Sequence, residues 1–298
     1  MSKPLVVVIG SNGQLGTDVV KSLQEKFVVK ALTHKDIDIT KKACYDSLVA
    51  LNPDYVVNTA AFHNLKACEE NPDQAFLVNA WGALNLAGAC KNIGAVLVHI
   101  STDHVFDGEK DRPYVEDDIT NPVNVYGKSK LLGEKLIRDC IDNYYILRVA
   151  TLYGYTPPSG KLYNFIDFVV GKAFKKEKMD IVKFHYSSPT FTVNAANKLT
   201  NVLNRHLTYG PIPYGVYHCA DMGITSFYDL AVQVCNYTGL LEGVEINPLA
   251  LAPDGVVRAQ YLPLEDTKLV NYGILSKHWK ECVFEYLDNK YPGYTYKR

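Results

Sequence analysis

In the first half of the chain, apolar positions fall into short, nearly unbroken runs rather than alternating ones. Residues 5–9 read Leu-Val-Val-Val-Ile, and similar runs recur at 27–32, 54–58, 95–100 and 144–149. Strands covered on both faces of a parallel sheet require that pattern. Between the runs, apolar residues recur at helical spacing over 17–25, 41–51, 72–92 and 125–140. In 125–140, Leu131, Leu132, Leu136 and Ile137 stand among Lys, Glu and Arg, with Asn121-Pro122 upstream as a helix-entry signal. Strand and helix in alternation predict an α/β fold built on a doubly wound parallel sheet. After residue 149 the rhythm breaks: a Pro/Gly/Lys-rich loop at 155–161 precedes helical patterns at 162–174, 193–206 and 226–237 and a short strand at 215–220. This predicts a sheet-bearing domain of residues 1–154 plus about 191–220. Residues 155–190 and 221–298 would form a smaller lobe over the carboxyl edge of the sheet.

The first strand runs straight into Gly10-Ser-Asn12-Gly13-Gln14-Leu15-Gly16 and then a helix. Strand, glycine turn, helix is the setting in which such spacing binds a dinucleotide, because glycines let backbone approach a pyrophosphate at the helix N-terminus. The spacing here is Gly-x-x-Gly-x-x-Gly rather than Gly-x-Gly-x-x-Gly. The tip of the second strand offers His34 and Lys35, with Asp36 just beyond. A cation there favours a 2′-phosphate and an acid the 2′-hydroxyl, which tilts the reading towards NADP(H), with dual use of NAD(H) open. Asp38 and Ile39 either line the adenine, or Asp38 or Thr40 caps the helix that follows.

Ala60 and Ala61 follow the third strand, where small residues let a ligand lie against backbone, and His63 in that loop is either catalytic or packing. Asn79 stands in an apolar helical setting, bonding either the main chain beside the site or its own neighbours. Ser101, Thr102, Asp103 and His104 lie at the carboxyl end of the fourth strand, where open α/β sheets bind their ligands. A hydroxyl there serves a substrate oxygen, or it serves as a turn or cap residue. The loop 107–121 is expected over the pocket. Tyr126 and Lys130, four apart on one helix, face the same way. An ammonium beside a phenol lowers its pKa by roughly 1–3 units, enough for acid–base work near neutrality.

Composition narrows the class. The 298 residues carry a formal net charge of −1, which argues against nucleic acid or a membrane surface as partner. No apolar run reaches membrane-spanning length. Seven scattered cysteines without a Cys-x-x-Cys pair suggest reduced thiols in a cytoplasmic setting and no metal site.

Gly10-x-x-Gly13-x-x-Gly16, Asp38-Ile39-Thr40, Asn58-Thr-Ala-Ala61, Ser101-Thr102-Asp103, Tyr126-x-x-x-Lys130 and Leu152-Tyr153-Gly154 occur in the order seen in extended short-chain dehydrogenases/reductases. More narrowly, Gly13-Gln14-Leu15-Gly16, the run from Ala60 to Pro72, the run from Ile100 to Gly108, and Ser188-Pro189-Thr190 resemble the dTDP-4-dehydrorhamnose reductases. The resemblance is dense over residues 5–155 and thin to about 275. It implies a Rossmann-type domain for NADPH or NADH and a C-terminal lobe for a nucleotide sugar. The C4 ketone of a dTDP-linked 6-deoxy-4-keto sugar would receive hydride from the nicotinamide and a proton from Tyr126. Lys130 would hold the nicotinamide ribose and lower the phenol's pKa, and Thr102 would orient the ketone.

The departures sit on the substrate side. His104 stands where the family usually has Tyr, and Thr151 where it often has Trp. Arg258-Ala-Gln-Tyr-Leu262 keeps only the Arg of Arg-Pro-x-x-Ser, and His185 and Ser187 replace an expected Gln and Gly. Ser101, Asp103, His104, Thr151 and Arg258 are the substrate candidates, with Arg258 serving either a diphosphate or a surface salt bridge. Two alternatives stand: a reductase of another nucleotide 4-keto sugar, or a non-catalytic binding protein like the regulatory β subunit of methionine adenosyltransferase. A homodimer is compatible with either.

Overall fold

Five of the apolar runs, joined by a sixth strand from the second half of the chain, pair into one wholly parallel sheet. In the computed structural model, which describes residues 3–160 and 162–294, the strands are β1 (Leu5–Ile9), β2 (Val28–Leu32), β3 (Tyr55–Asn58), β4 (Val96–Thr102), β5 (Tyr144–Val149) and β6 (Gly215–His218). Their order is β2-β1-β3-β4-β5-β6. The winding reverses between β1 and β3, and at such a switch point the connecting loops diverge and leave a crevice. Residue 161, the last of the expected 155–161 loop, and residues 1, 2 and 295–298 of the expected domains lie outside the described residues.

Successive side chains of a strand point to opposite faces, so each apolar run feeds two cores. Val6 and Val8 pack with Leu15 and Val19 of α1 (Gln14–Leu23) on one side. Val7 and Ile9 pack on the other with Leu48 of α2 (Ala43–Leu51), Leu86 of α3 (Gly82–Ile93) and Ile137 of α4 (Val125–Cys140). Each such fully buried Val, Ile or Leu contributes roughly 1.5–3 kcal/mol, which explains why these strands tolerate no alternation. A third core joins Val169 of α5 (Phe165–Phe174), Leu230 of α7 (Phe227–Tyr237) and Val283 of α8 (Trp279–Lys290). The helix between them, α6 (Thr192–Tyr209), packs its Leu199 and Leu203 into the first core beside β6. Leu269 and Ile274 join that first core as well.

Several boundaries differ from the sequence reading. Helix α1 starts at Gln14 rather than 17, so Gly16 lies inside it. The expected helix at 72–92 is interrupted by a wider π turn at Leu77–Trp81, a device that redirects side chains near functional sites. Asn124, not Asn121-Pro122, caps α4: its extended backbone lets Oδ1 accept the Gly127 N–H at 2.8 Å. Neither Asp38 nor Thr40 caps α2; the Asp38 carboxylate instead accepts the Thr40 N–H and hydroxyl. The 107–121 loop, expected over the pocket, supplies no wall to it. Tyr114 stacks on Phe106 and donates its N–H to the Pro263 carbonyl, and Glu116 accepts from Thr267, tying the loop to the late chain. Two segments of the second half also meet: Tyr186 N–H donates to the Gln260 carbonyl at 2.7 Å, and Leu262 N–H to the Tyr186 carbonyl.

Candidate functional site

A cleft of about 760 Å³ opens at the carboxyl ends of the strands. The glycine turn forms one end with Gly10, Asn12, Gly13, Gln14, Leu15 and Gly16, flanked by His34, Asp38 and Ile39. Ala60 and Ala61 form the floor, and Ser101, Thr102, Asp103, His104, Tyr126, Lys130 and Thr151 the other end. Three candidates lie off the wall: Lys35, Asn79 and Arg258. The wall also includes Thr59, Phe62, Gln74, Leu77, Val78 and Pro158.

The glycine end fits a dinucleotide. Gly10 has φ +77°, and a Cβ there would meet the Ala60 backbone nitrogen at 2.8 Å; one on Gly16 would lie 2.2 Å from the Gly10 carbonyl oxygen. No side chain caps α1, so its first N–H groups face the cleft with the positive end of the helix dipole. The buried Gln14 Nε2 has no hydrogen-bond partner in the protein, a donor waiting for an acceptor. At the far tip, the Asp36 carboxylate accepts the Thr33 N–H and hydroxyl, bonds that hold it below the usual carboxylate range. Asp36 does not line the cleft, while His34 stands on its wall.

At the other end burial governs the chemistry. The Tyr126 phenol is pushed well above its ordinary pKa by desolvation; a hydrogen bond with the Thr102 hydroxyl works against that, and the nearby Asp103 adds to it. Lys130 is lowered to about 8 by burial, with Glu134 opposing. The amine does not sit on the phenol. It donates to the Ile100 carbonyl at 2.6 Å and lies 3.0 Å from His99 Nε2. The expected ammonium-lowered phenol is therefore not what the side chains form by themselves: one helical turn aligns two residues, but β4 claims the amine. Thr102 donates to Asp103 Oδ1 at 2.8 Å, and burial raises Asp103 to about 7.

His104 packs edge-on against Tyr126, ring centroids 5.6 Å apart, and lies 6.5 Å from His185. Burial first, then Arg258, lowers His104 to about 4; burial, His104 and Arg258 lower His185 to about 3. Both rings are neutral at pH 7. Arg258 acts on these histidines through its charge, while both its terminal nitrogens grip Asp254 at 2.7 and 2.5 Å. Thr151 has φ +26°, a costly conformation for a β-branched residue, and its hydroxyl bonds Ser187 at 2.7 Å. Ser101 turns its hydroxyl behind the cleft onto Glu134, which Arg148 holds in a buried ion pair at 2.7 Å. Asn79, displaced by the π turn, accepts from Phe62 N–H and donates to the Phe62 carbonyl and Ser129, pinning the cleft's floor loop to α4.

Sequence reasoning quoted Asn58 only within a motif and passed over His99, Glu134 and Arg148; all four stand behind the wall. A lone His or Arg inside an apolar run carries no motif; their roles come from the register that pairs Asn58 with His99 and Ser101 with Arg148. Among the described residues, no helix is long and apolar enough to cross a membrane, and no three or more His, Cys, Asp or Glu gather to hold a metal ion.

Residues 4–291 match the family model described as the RmlD substrate binding domain. A dTDP-4-dehydrorhamnose reductase of Streptomyces griseus is 33% identical over 95% of this chain and 93% of its own length. A dTDP-4-keto-6-deoxy-D-glucose reductase of Streptomyces niveus is 33% identical, over 93% and 94%. A dTDP-4-dehydrorhamnose reductase of Bacillus anthracis, solved in complex with NADP, superimposes with a TM-score of 0.86 at 27% identity, over 97% of this chain and all of that one.

Proposed function

Because the chain belongs to the RmlD substrate binding domain family, we propose that it reduces the C4 ketone of a nucleotide-linked 4-keto-6-deoxy sugar with NADPH, converting dTDP-4-dehydro-L-rhamnose to dTDP-L-rhamnose. The observation that carries this reading is the placement of Tyr126 beside Thr102 in the same cleft as the glycine turn.

Gly10, Gly13, Gly16 and the start of α1 would hold the pyrophosphate, Gln14 would supply a donor, and His34 would face the adenosine ribose. A bound reduced nicotinamide supplies hydride. As the carbonyl oxygen gains charge, the Tyr126 hydroxyl gives it a proton; the raised phenol pKa means this proton is present throughout the neutral range. Thr102, tied to Asp103, fixes the position of that hydroxyl. We assign cofactor binding to residues 1–154 and about 191–220, and sugar-nucleotide binding to 155–190 and 221–298. Arg258 is the diphosphate candidate, exchanging Asp254 for phosphate oxygens. Seven free cysteines, six of them buried, suit a reducing compartment such as the cytosol.

A second reading, reduction of a different nucleotide 4-keto sugar, is favoured by His104 and Thr151, which replace larger or differently polar groups beside the ketone position. One assay separates the readings: purified protein with dTDP-4-keto-6-deoxy sugars, an epimerase, and NADPH or NADH, following nicotinamide absorbance. Turnover only without epimerase selects the second reading. NADPH binding without turnover on any sugar leaves a binding protein. A strong preference for NADH would overturn the role given to His34 and Asp36.

A further inference from the structure

From the Tyr126 phenol a line of hydroxyls and one carboxyl leads through the interior to another point on the cleft wall. The phenol hydrogen-bonds the Thr102 hydroxyl, which donates to Asp103 Oδ1 at 2.8 Å while accepting the His104 N–H at 3.2 Å. Asp103 also hydrogen-bonds the Ser187 hydroxyl, and Ser187 Oγ lies 2.7 Å from Thr151 Oγ1. Thr102, Asp103 and Ser187 are dry, at 4%, 3% and 1% exposure, whereas Thr151 is half-buried and lines the cleft. The Thr190 N–H, donating to the Thr151 carbonyl at 3.1 Å, helps hold Thr151 in its left-handed conformation. A β-branched residue keeps such a backbone only where its surroundings enforce it. Every member of the line can accept and donate: a hydroxyl has one O–H and two lone pairs, and a protonated carboxyl has a donor beside its acceptors.

We propose that Thr151, Ser187, Asp103 and Thr102 form a proton wire that reloads Tyr126 after each turnover, with the Asp103 carboxyl as its internal store. This deepens the proposed reductase reading and rests on it for the use of the proton. Once the phenol has protonated the sugar alkoxide, a phenolate remains. The Thr102 hydroxyl gives the phenolate its proton, and the Asp103 carboxyl replaces the one Thr102 has lost, leaving a carboxylate. A proton from solvent at Thr151, passed on by Ser187, restores the carboxyl. No electrons move along the wire, and one solvent proton is consumed per ketone reduced. The energies run in the required direction. Burial raises Asp103 to about 7 and the phenol far higher, so the proton moves downhill to the phenolate, and the emptied carboxylate refills at neutral pH. After burial, the largest influences on Asp103 are hydrogen bonds from Thr102, from the His104 N–H, from its own N–H and from Ser187. The titratable groups around this end are uncharged at pH 7. His104 and His185 are neutral, the Cys68 thiol is raised to about 11, and Arg258, which acts on both rings, is engaged by Asp254.

The first arm of the test needs no turnover. Carbon NMR of protein labelled at the aspartate carboxyl carbons, with Asp103 assigned through Asp103→Asn, follows the titration of the store. Its midpoint should lie near neutrality and move up by about half a unit or more in Ser187→Ala, which removes a hydrogen bond to the carboxylate. A midpoint in the ordinary carboxylate range, or one that Ser187→Ala leaves in place, overturns the wire whether or not the protein reduces any sugar. The second arm is stopped flow in weak buffer with a pH indicator, NADPH and a dTDP-4-keto-6-deoxy sugar. Nicotinamide absorbance then reports hydride transfer, and the indicator reports proton uptake. In Ser187→Ala and Thr151→Val the first turnover should keep its rate, because Tyr126 starts loaded, while proton uptake and kcat fall about tenfold or more. Thr151→Ser, which keeps the hydroxyl, should restore both. Proton uptake that stays in step with nicotinamide loss in both variants shows another route to the phenol and removes the wire. A first turnover slowed as much as kcat makes these hydroxyls structural and removes it too. Absent nicotinamide loss in the unmodified protein, with the expected Asp103 titration, sinks the reductase reading and leaves the line from Ser187 to Asp103 standing.

Discussion

Replacing Tyr126 with Phe tests the centre of the proposed chemistry with the least disturbance to its surroundings. The ring stays, and with it the edge-on packing on His104. What leaves is one hydroxyl in contact with Thr102, whose own hydroxyl keeps Asp103 as a partner. Losing one such hydrogen bond costs about 0.5–1.5 kcal/mol of stability, or a melting shift of roughly 2–4 °C per kcal/mol for a chain nearing this size. The effect on turnover should be far larger. A positioned general acid contributes roughly 10²–10⁴ in rate, which is about 2.7–5.4 kcal/mol of barrier at 1.36 kcal/mol per decade. The glycine end of the cleft is untouched, so NADPH affinity, read by fluorescence titration, should remain. Single-turnover absorbance decay with a saturating 4-keto sugar nucleotide isolates the chemical step. A Tyr126→Phe protein within tenfold of the unmodified rate across the pH range would show that the proton comes from elsewhere.

Gly16→Ala forces a methyl to within 2.2 Å of the Gly10 carbonyl oxygen; overpacking of this kind costs about 1–3 kcal/mol, and NADPH affinity should fall about tenfold or more by titration. Glu134→Gln leaves the Arg148 guanidinium buried without its charge partner, which should cost about 3–5 kcal/mol in denaturant unfolding; a loss under about 1 kcal/mol would mean that water reaches this pair. Asp103 is raised from 3.8 to about 7, so its folded form keeps a proton that the unfolded chain has released. Its contribution to stability is complete below about pH 4 and is lost as pH rises to about 7. The melting temperature of Asp103→Asn relative to the unmodified protein should therefore climb through that interval, and a constant difference would refute the shift.

Periodicity alone determined the α/β alternation, the parallel sheet and the strand behind which the glycine turn sits. An unbroken apolar run such as Val6-Val7-Val8 has one good environment, a sheet covered on both faces, and a glycine turn after it has few purposes. The alignment of Tyr126 with Lys130 was equally legible, because helical spacing is a local property. What those two groups do electrostatically was not. The direction of the Tyr126 shift depends on desolvation, and the amine's partners come from β4, some thirty residues upstream along the chain. Asn58 and His99 become neighbours only through strand register, and Arg148 meets Glu134 only when β5 lies beside β4 and under α4. Local spacing can place a side chain on a face. Which charges share that face in the dry interior is decided by segments far apart in sequence, and at low dielectric that choice sets every proton in the cleft.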